Sequence, residues 1–250
     1  MLTAPPSRRT PGSPAVPVDC AHCPIAGLTV CQPFHGPQLD IVQTFKLGDR
    51  ILPAGSPLYA PGQELKELYN LLNGWVLLYR VLESGRRQIL DLALPGSFIG
   101  YQPDLHLPML HGAECLTDVA LCVFPRKPFD NLGKAHPSLL LQLARLNSQE
   151  LIRTQDHLTN VGSRPALKRI AHLLCEILRR LNGPHASLPR QVVSIPLTQT
   201  HIADALGLTS VYVSKTLRQF KKEGVLVFRR GRLTILNPGR LAELAELEPS

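Results

Sequence analysis

The stretch Pro196–Phe220, PLTQTHIADALGLTSVYVSKTLRQF, decides the fold of this chain. It reads as two short helices joined by a tight turn. Thr198 is placed to cap the first helix, where Ile202, Ala203 and Leu206 recur at helical spacing. Gly207 supplies a turn position that tolerates positive φ. Thr209 caps the second helix, and Val213, Leu217 and Phe220 form its buried stripe. Thr209, Ser210, Val211, Ser214, Lys215 and Arg218 are left at its start and on its open face. A helix with a small, polar and basic exposed face suits a DNA major groove, its cations reaching phosphates on the rim. An ordinary αα-hairpin is the bland alternative.

The flanks favour DNA. Val225 to Phe228 and Leu233 to Leu236 are short apolar runs around the turn Arg229-Arg230-Gly231-Arg232. That pattern predicts a β-hairpin with a basic tip, the wing of a winged helix. Arg229, Arg230 and Arg232 would lie along the sugar–phosphate backbone and add affinity without sequence information. Charge points the same way. The chain carries a formal net charge of +8, and from Gly162 onward there are 14 Lys and Arg against 6 Asp and Glu. The remainder is balanced, so the excess is localised on the helix-turn-helix part, as expected for a polyanion partner.

No apolar run approaches the roughly 20 residues needed to span a bilayer, and no apolar secretory leader is visible. A cytoplasmic location is expected. There, six cysteines are poor candidates for structural disulfides. Three of them fall within Cys20-Ala-His-Cys23-Pro-Ile-Ala-Gly-Leu-Thr-Val-Cys31. Two thiols separated by two residues can share one metal or cluster. A fourth ligand must come from elsewhere: His35 nearby, or Cys115, Cys122 or Cys175 farther on. Cys20, Cys23, Cys31 and His35 alone would make a zinc site of the Cys3His kind. No Cys/His/Asp arrangement or phosphate loop supports an enzyme.

Residues 1–19 hold five prolines and read as a flexible tail. The cysteine segment covers 20–35. Within 36–135, Phe45 to about Phe129 reads as all-β. Glycines at 48, 55, 62, 74, 85 and 96 punctuate short apolar stretches, the rhythm of a sandwich or barrel. Val119–Phe124 is a strand with Ala120, Cys122 and Phe124 on one face and Val119, Leu121 and Val123 on the other. Trp75 is expected in the core. Residues 136–162 form a long helix with two apolar rows. Leu139, Leu143 and Leu146 would pack on the barrel. Leu140, Asn147, Leu151, Thr154, Leu158 and Val161 would form a parallel dimer seam, Asn147 and Thr154 setting register. Gly162-Ser163-Arg164-Pro165 reads as a hinge into 163–250, where Leu167, Ile170, Leu174, Ile177 and Leu178 stripe the first helix and Cys175 is buried.

The fold class is therefore α+β: a β-roll, a long dimer helix and a C-terminal winged helix-turn-helix. That order resembles the Crp–Fnr superfamily of bacterial transcription regulators over essentially the whole chain after the tail. The roll would then be of the cyclic-nucleotide-binding type. The cysteines resemble the oxygen-responsive Fnr branch, whose members bind a [4Fe–4S] cluster through three N-terminal cysteines and one in the roll. The resemblance implies Cys20, Cys23, Cys31 and Cys122 as ligands. Cys122 is preferred to Cys115 because it precedes a short strand end in Leu-Cys-Val-Phe-Pro. It also implies a homodimer on palindromic promoter sites of double-stranded DNA, with RNA polymerase as partner, switched by oxygen or redox state. Two departures stand out. Gly96-Ser97 replaces the Gly-Glu pair of the nucleotide-binding branch, and no arginine occurs in Leu110–Cys115, so no cyclic nucleotide is expected. Fnr proteins typically carry Glu-x-x-Ser-Arg in the recognition helix; here it is Val211-Tyr-Val-Ser214-Lys215.

Overall fold

The computed structural model describes residues 18–102, 104, 106–183 and 190–247. Most of the expected tail, up to residue 17, and the last three residues lie outside the described residues. Two compact units divide within a long helix, between Ser148 and Gln149; Arg87–Ile89 group with the second unit.

The first unit is a roll of two four-stranded antiparallel sheets. One has the order β1-β8-β3-β6: β1 Gly48–Leu52, β8 Val119–Pro125, β3 Glu67–Asn73 and β6 Phe98–Ile99. The other has the order β2-β7-β4-β5: β2 Pro57–Tyr59, β7 Gly112–Cys115, β4 Val76–Val81 and β5 Arg87–Ala93. β8 is the central element. Its apolar run is buried on both faces, which a strand achieves only when each face has a layer of its own. Val119, Leu121 and Val123 enter the roll interior with Tyr59, Tyr69, Leu71, Val76 and Cys115. Ala120, Cys122 and Phe124 turn outward, as their alternation predicts. There they pack against Val30 and Phe34 of the N-terminal segment and Val42 of α1, Gln38–Phe45. Phe129 and Leu132 of α2, Arg126–Ala135, and Leu139 and Leu143 of α3, Pro137–Ser163, close that outer layer. Each buried Val, Leu or Phe side chain there contributes about 1.5–3 kcal/mol relative to exposure.

Several expectations change. The all-β reading stops at Pro125, because Arg126–Ala135 is helical. Helix α1 was not legible either: with 8 residues it is too short to establish a helical period, and only Val42 is fully buried. Gly162 and Ser163 belong to α3, so the break is confined to Arg164 and Pro165. A glycine is tolerated in a helix at a cost of about 1 kcal/mol, and the proline ends the run. Trp75 is only half-buried, at the turn after β3.

The second unit contains the C-terminal part of α3 and α4, Ala166–Asn182. Ile170, Leu174, Ile177 and Leu178 are its core stripe, with Leu167 half-buried and Cys175 wholly buried among them. His172, in the same helix, places Nε2 2.6 Å from Asp156 Oδ2 and Nδ1 3.0 Å from the Ala245 carbonyl. The chain continues through β9, Val192–Ser194, to α5, Gln199–Leu206, and α6, Ser210–Lys222. The hairpin β10 Leu226–Arg229 and β11 Arg232–Ile235 follows, then α7, Pro238–Leu244. β9 adds a third strand beside β11, a pairing the sequence reading missed.

Candidate DNA interface and thiol centre

Local chemistry builds the helix-turn-helix. The Thr198 side chain accepts from His201 N–H, and His201 reaches back to Thr198 N–H, a reciprocal cap. Gly207 closes α5 at φ 66°, a left-handed conformation that favours glycine. The Thr209 hydroxyl accepts from Tyr212 N–H and starts α6. Val213, Leu217 and Phe220 are buried as expected, and Thr216 joins them. Ser210, Lys215 and Arg218 are exposed, Ser214 is half-buried, and Val211 is 75% exposed. A valine so open gains nothing from the protein's own core. Basic Lys221 and Lys222 occupy the last turn, where the helix dipole favours cations.

The wing has a two-residue turn. Arg230 and Gly231 both have positive φ, 50° and 70°, the geometry that matches the twist of two hairpin strands. Arg229 and Arg232 are direct cross-strand partners. Like charges placed opposite each other cost stability and concentrate positive potential at the tip. An open groove of about 390 Å³ runs between this tip and the start of α5, lined in part by Thr198, Gln199, Arg229 and Arg230.

On α3 the two rows separate as expected. Leu139 and Leu143 are buried and Leu146 packs beside them. Leu140, Asn147, Leu151, Thr154 and Leu158 are exposed, and Val161 is half-buried.

The cysteines fall into separate environments. The Cys20–His22 segment is a single 3-10 turn, closed by Cys23 N–H on the Cys20 carbonyl. Cys20 and Cys122 share the outer apolar cluster, with Cys23 and Cys31 packed against it. Asn70 Nδ2 donates to Cys31 Sγ at 3.5 Å. Burial pushes the Cys31 thiol up to about 11 and also raises Cys20 and Cys122. Cys115 lies in the roll interior, on the other side of the sheet layer, and Cys175 in the second unit. His35 is exposed. Among the described residues no three His, Cys, Asp or Glu side chains stand at metal-binding geometry.

A β-roll followed by a long helix with an open apolar row and a winged helix defines a DNA-binding regulator. Comparison with known proteins agrees. Residues 49–136 match the cyclic nucleotide-binding domain model and residues 168–244 the Crp-like helix-turn-helix domain model. The chain is 31% identical over 232 residues to the nitrogen fixation regulation protein FixK of Bradyrhizobium diazoefficiens, spanning 90% of this chain and 93% of that protein. It is 30% identical over 232 residues to the fumarate and nitrate reduction regulatory protein of Escherichia coli, spanning 91% and 90%. The solved structure of FixK2 from Bradyrhizobium japonicum superposes with a TM-score of 0.71 at 25% identity, covering 80% of this chain and 98% of that one. The chain belongs to the Crp/Fnr family of transcription regulators. Such regulators bind DNA, typically as dimers, and are not enzymes. Among the described residues no helix is long and apolar enough to cross a membrane.

Proposed function

We propose that this regulator senses oxygen or redox state through a [4Fe–4S] cluster held by Cys20, Cys23, Cys31 and Cys122, and binds palindromic promoter sites as a homodimer. One observation carries the reading. Cys122, alone among the three cysteines beyond the N-terminal segment, shares the apolar cluster on which the N-terminal thiols pack. The donor set fits such a group. Four thiols are soft ligands, and a thiol raised by burial is held as a protonated, unreactive store until a metal displaces the proton. When bound, the cluster would supply an oxidisable centre. The protein's own part is to shield the thiols with Val30, Phe34 and Phe124 and to order the N-terminal segment against β8.

On DNA, Val211, Ser214, Lys215 and Arg218 face the bases and rim, with Thr209 and Ser210 at the helix start. Arg229, Arg230 and Arg232 reach the backbone, and the groove beside them is placed for a phosphate. The row from Leu140 to Val161 joins two copies and spaces the recognition helices by about 34 Å, one DNA turn. RNA polymerase is the partner such a promoter-bound dimer would meet, on family grounds alone. The roll takes no cyclic nucleotide in this reading. Ser97, in place of the acidic residue, accepts Leu94 N–H with its hydroxyl, and His111 Nε2 is hydrogen-bonded to Tyr59 at 2.9 Å.

Anaerobic purification with a visible spectrum and iron and sulfide analysis tests the proposal. A brown protein with matched iron and acid-labile sulfide is expected. A colourless zinc protein would replace the cluster with a structural site, and a metal-free, DNA-competent protein would end both.

A further inference from the structure

A buried ion pair adjoins the thiols. Lys46 follows α1, and Asp49 is the second residue of β1. Their side chains are 2% and 1% exposed, and Lys46 Nζ lies 2.8 Å from the Asp49 carboxylate. Burying two charges costs desolvation that their attraction only partly returns, so such a pair is weak evidence for a stabilising role. Its other contacts supply a different one. Val18 N–H donates to Asp49 Oδ2 at 2.6 Å, while Lys46 Nζ donates to the Val18 carbonyl. Both backbone groups of one residue are thus held by the two charges. Val18 lies two residues before Cys20 in the chain, and Cys20 N–H is in turn fixed to Gln43 Oε1 of α1 at 3.0 Å. Asp49 is also the cross-strand partner of Cys122. The pair therefore stands between the start of the cysteine segment and the cysteine of the roll. The Lys46 ammonium is held at Val18, two residues before Cys20, and at Asp49, opposite Cys122, with the Asp49 carboxylate as its counter-charge.

We infer that Lys46 and Asp49 are positioning residues of the thiol centre, clamping the start of the cysteine segment to β1 and setting one buried cation beside Cys20 and Cys122. Four thiolates carry more negative charge than a [4Fe–4S] core offsets, so a neighbouring cation favours the addition of an electron. The clamp needs no bound group. The charge-offset role rests on the cluster reading above.

The test uses the full-length chain. Hydrogen exchange of the amides from Val18 to Cys23 is followed by mass spectrometry in the metal-free protein, for wild type, Lys46→Met, Lys46→Arg and Asp49→Asn. Lys46→Met should speed exchange there by about tenfold or more, and Lys46→Arg by less, because a guanidinium still reaches the carboxylate. In anaerobically reconstituted protein, the reduction potential should move to more negative values in Lys46→Met and return toward wild type in Lys46→Arg. Should Lys46→Met not fold, Asp49→Asn carries the same exchange test with its side-chain size unchanged. Exchange equal to wild type in either folded variant overturns the clamp. An unchanged potential in Lys46→Met overturns the charge-offset role. A wild type that takes up no iron overturns the cluster reading and that role together, while faster exchange in the variants would still uphold the clamp.

Discussion

Asn70 holds Cys31 by an Nδ2–Sγ hydrogen bond of 3.5 Å, and the same Asn70 stands opposite Cys122 in the β3–β8 ladder. One buried amide therefore ties the last N-terminal thiol to the strand that carries the roll's outward thiol. A donor aimed at sulfur favours the thiolate, the form that binds metal.

This arrangement separates the six cysteines by outcome. Serine in place of Cys20, Cys23, Cys31 or Cys122 should abolish stable iron and sulfide binding. Cys115→Ser and Cys175→Ser should leave it intact, since Cys115 is enclosed in the roll interior and Cys175 in the second unit. Full iron in Cys122→Ser with none in Cys115→Ser would reverse the choice of fourth ligand.

Gly96 is a second control point for the segment. It sits at φ 100°, and a Cβ there would lie 3.1 Å from both Cβ and the carbonyl oxygen of Leu28. Gly96→Ala should cost about 1–3 kcal/mol through backbone strain and push the N-terminal segment off the roll. Urea denaturation reads the first effect, and iron uptake per chain reads the second. A variant as stable and as iron-rich as wild type would show that the segment does not depend on this contact.

Leu151 tests the proposed seam. Leu151→Glu places an unpaired charge where two helices meet, which should cost several kcal/mol of association. Sedimentation of the metal-loaded protein should show monomer, with specific DNA binding lost. A stable dimer would remove this face of α3 from assembly.

Arg50 and Glu67 give a pH signature. Two 2.7 Å hydrogen bonds join them, and Arg50, followed by the Tyr69 hydroxyl, holds the Glu67 carboxyl below its ordinary 4.5. A carboxyl lowered on folding adds stability that is present above its unfolded value and is lost as pH falls through its folded one. Arg50→Gln should therefore destabilise the roll more at pH 7 than at pH 3. Partial exposure of the pair limits the difference to about 1 kcal/mol or less. Urea titrations at the two pH values measure it, and equal losses at both would assign the effect to packing.

Val211 and the wing arginines should behave differently on DNA. A valine offers an apolar contact suited to a thymine methyl, whereas glutamate accepts from a cytosine amino group. Lys215 donates as a point charge without the fork of arginine. Half-site selection with wild type and Val211→Glu should differ at one base pair, by about 1–3 kcal/mol of discrimination. Neutralising Arg229, Arg230 or Arg232 should weaken binding to every sequence alike and reduce the salt slope by about one. Identical selected sites for the two proteins would mean that Val211 does not face the bases.

The winged helix was legible in the amino-acid sequence because its determinants act over a few residues. Thr198 and Thr209 cap the helices that begin beside them, Gly207 ends the first, and Arg230-Gly231 closes the wing. The two faces of β8 and the two rows of α3 were legible for the same reason, since strand and helix periods sort neighbouring side chains whatever lies outside them. What covers those faces was not. Helices α1 and α2 draw their stability from contact with the outer face of the roll, and β9 from its pairing with β11. Spacing alone left His35, Cys115, Cys122 and Cys175 as possible companions of the N-terminal thiols. The tertiary structure separated them, because the outer side of β8 is where the N-terminal segment packs, and the sheet layer keeps Cys115 on the other side.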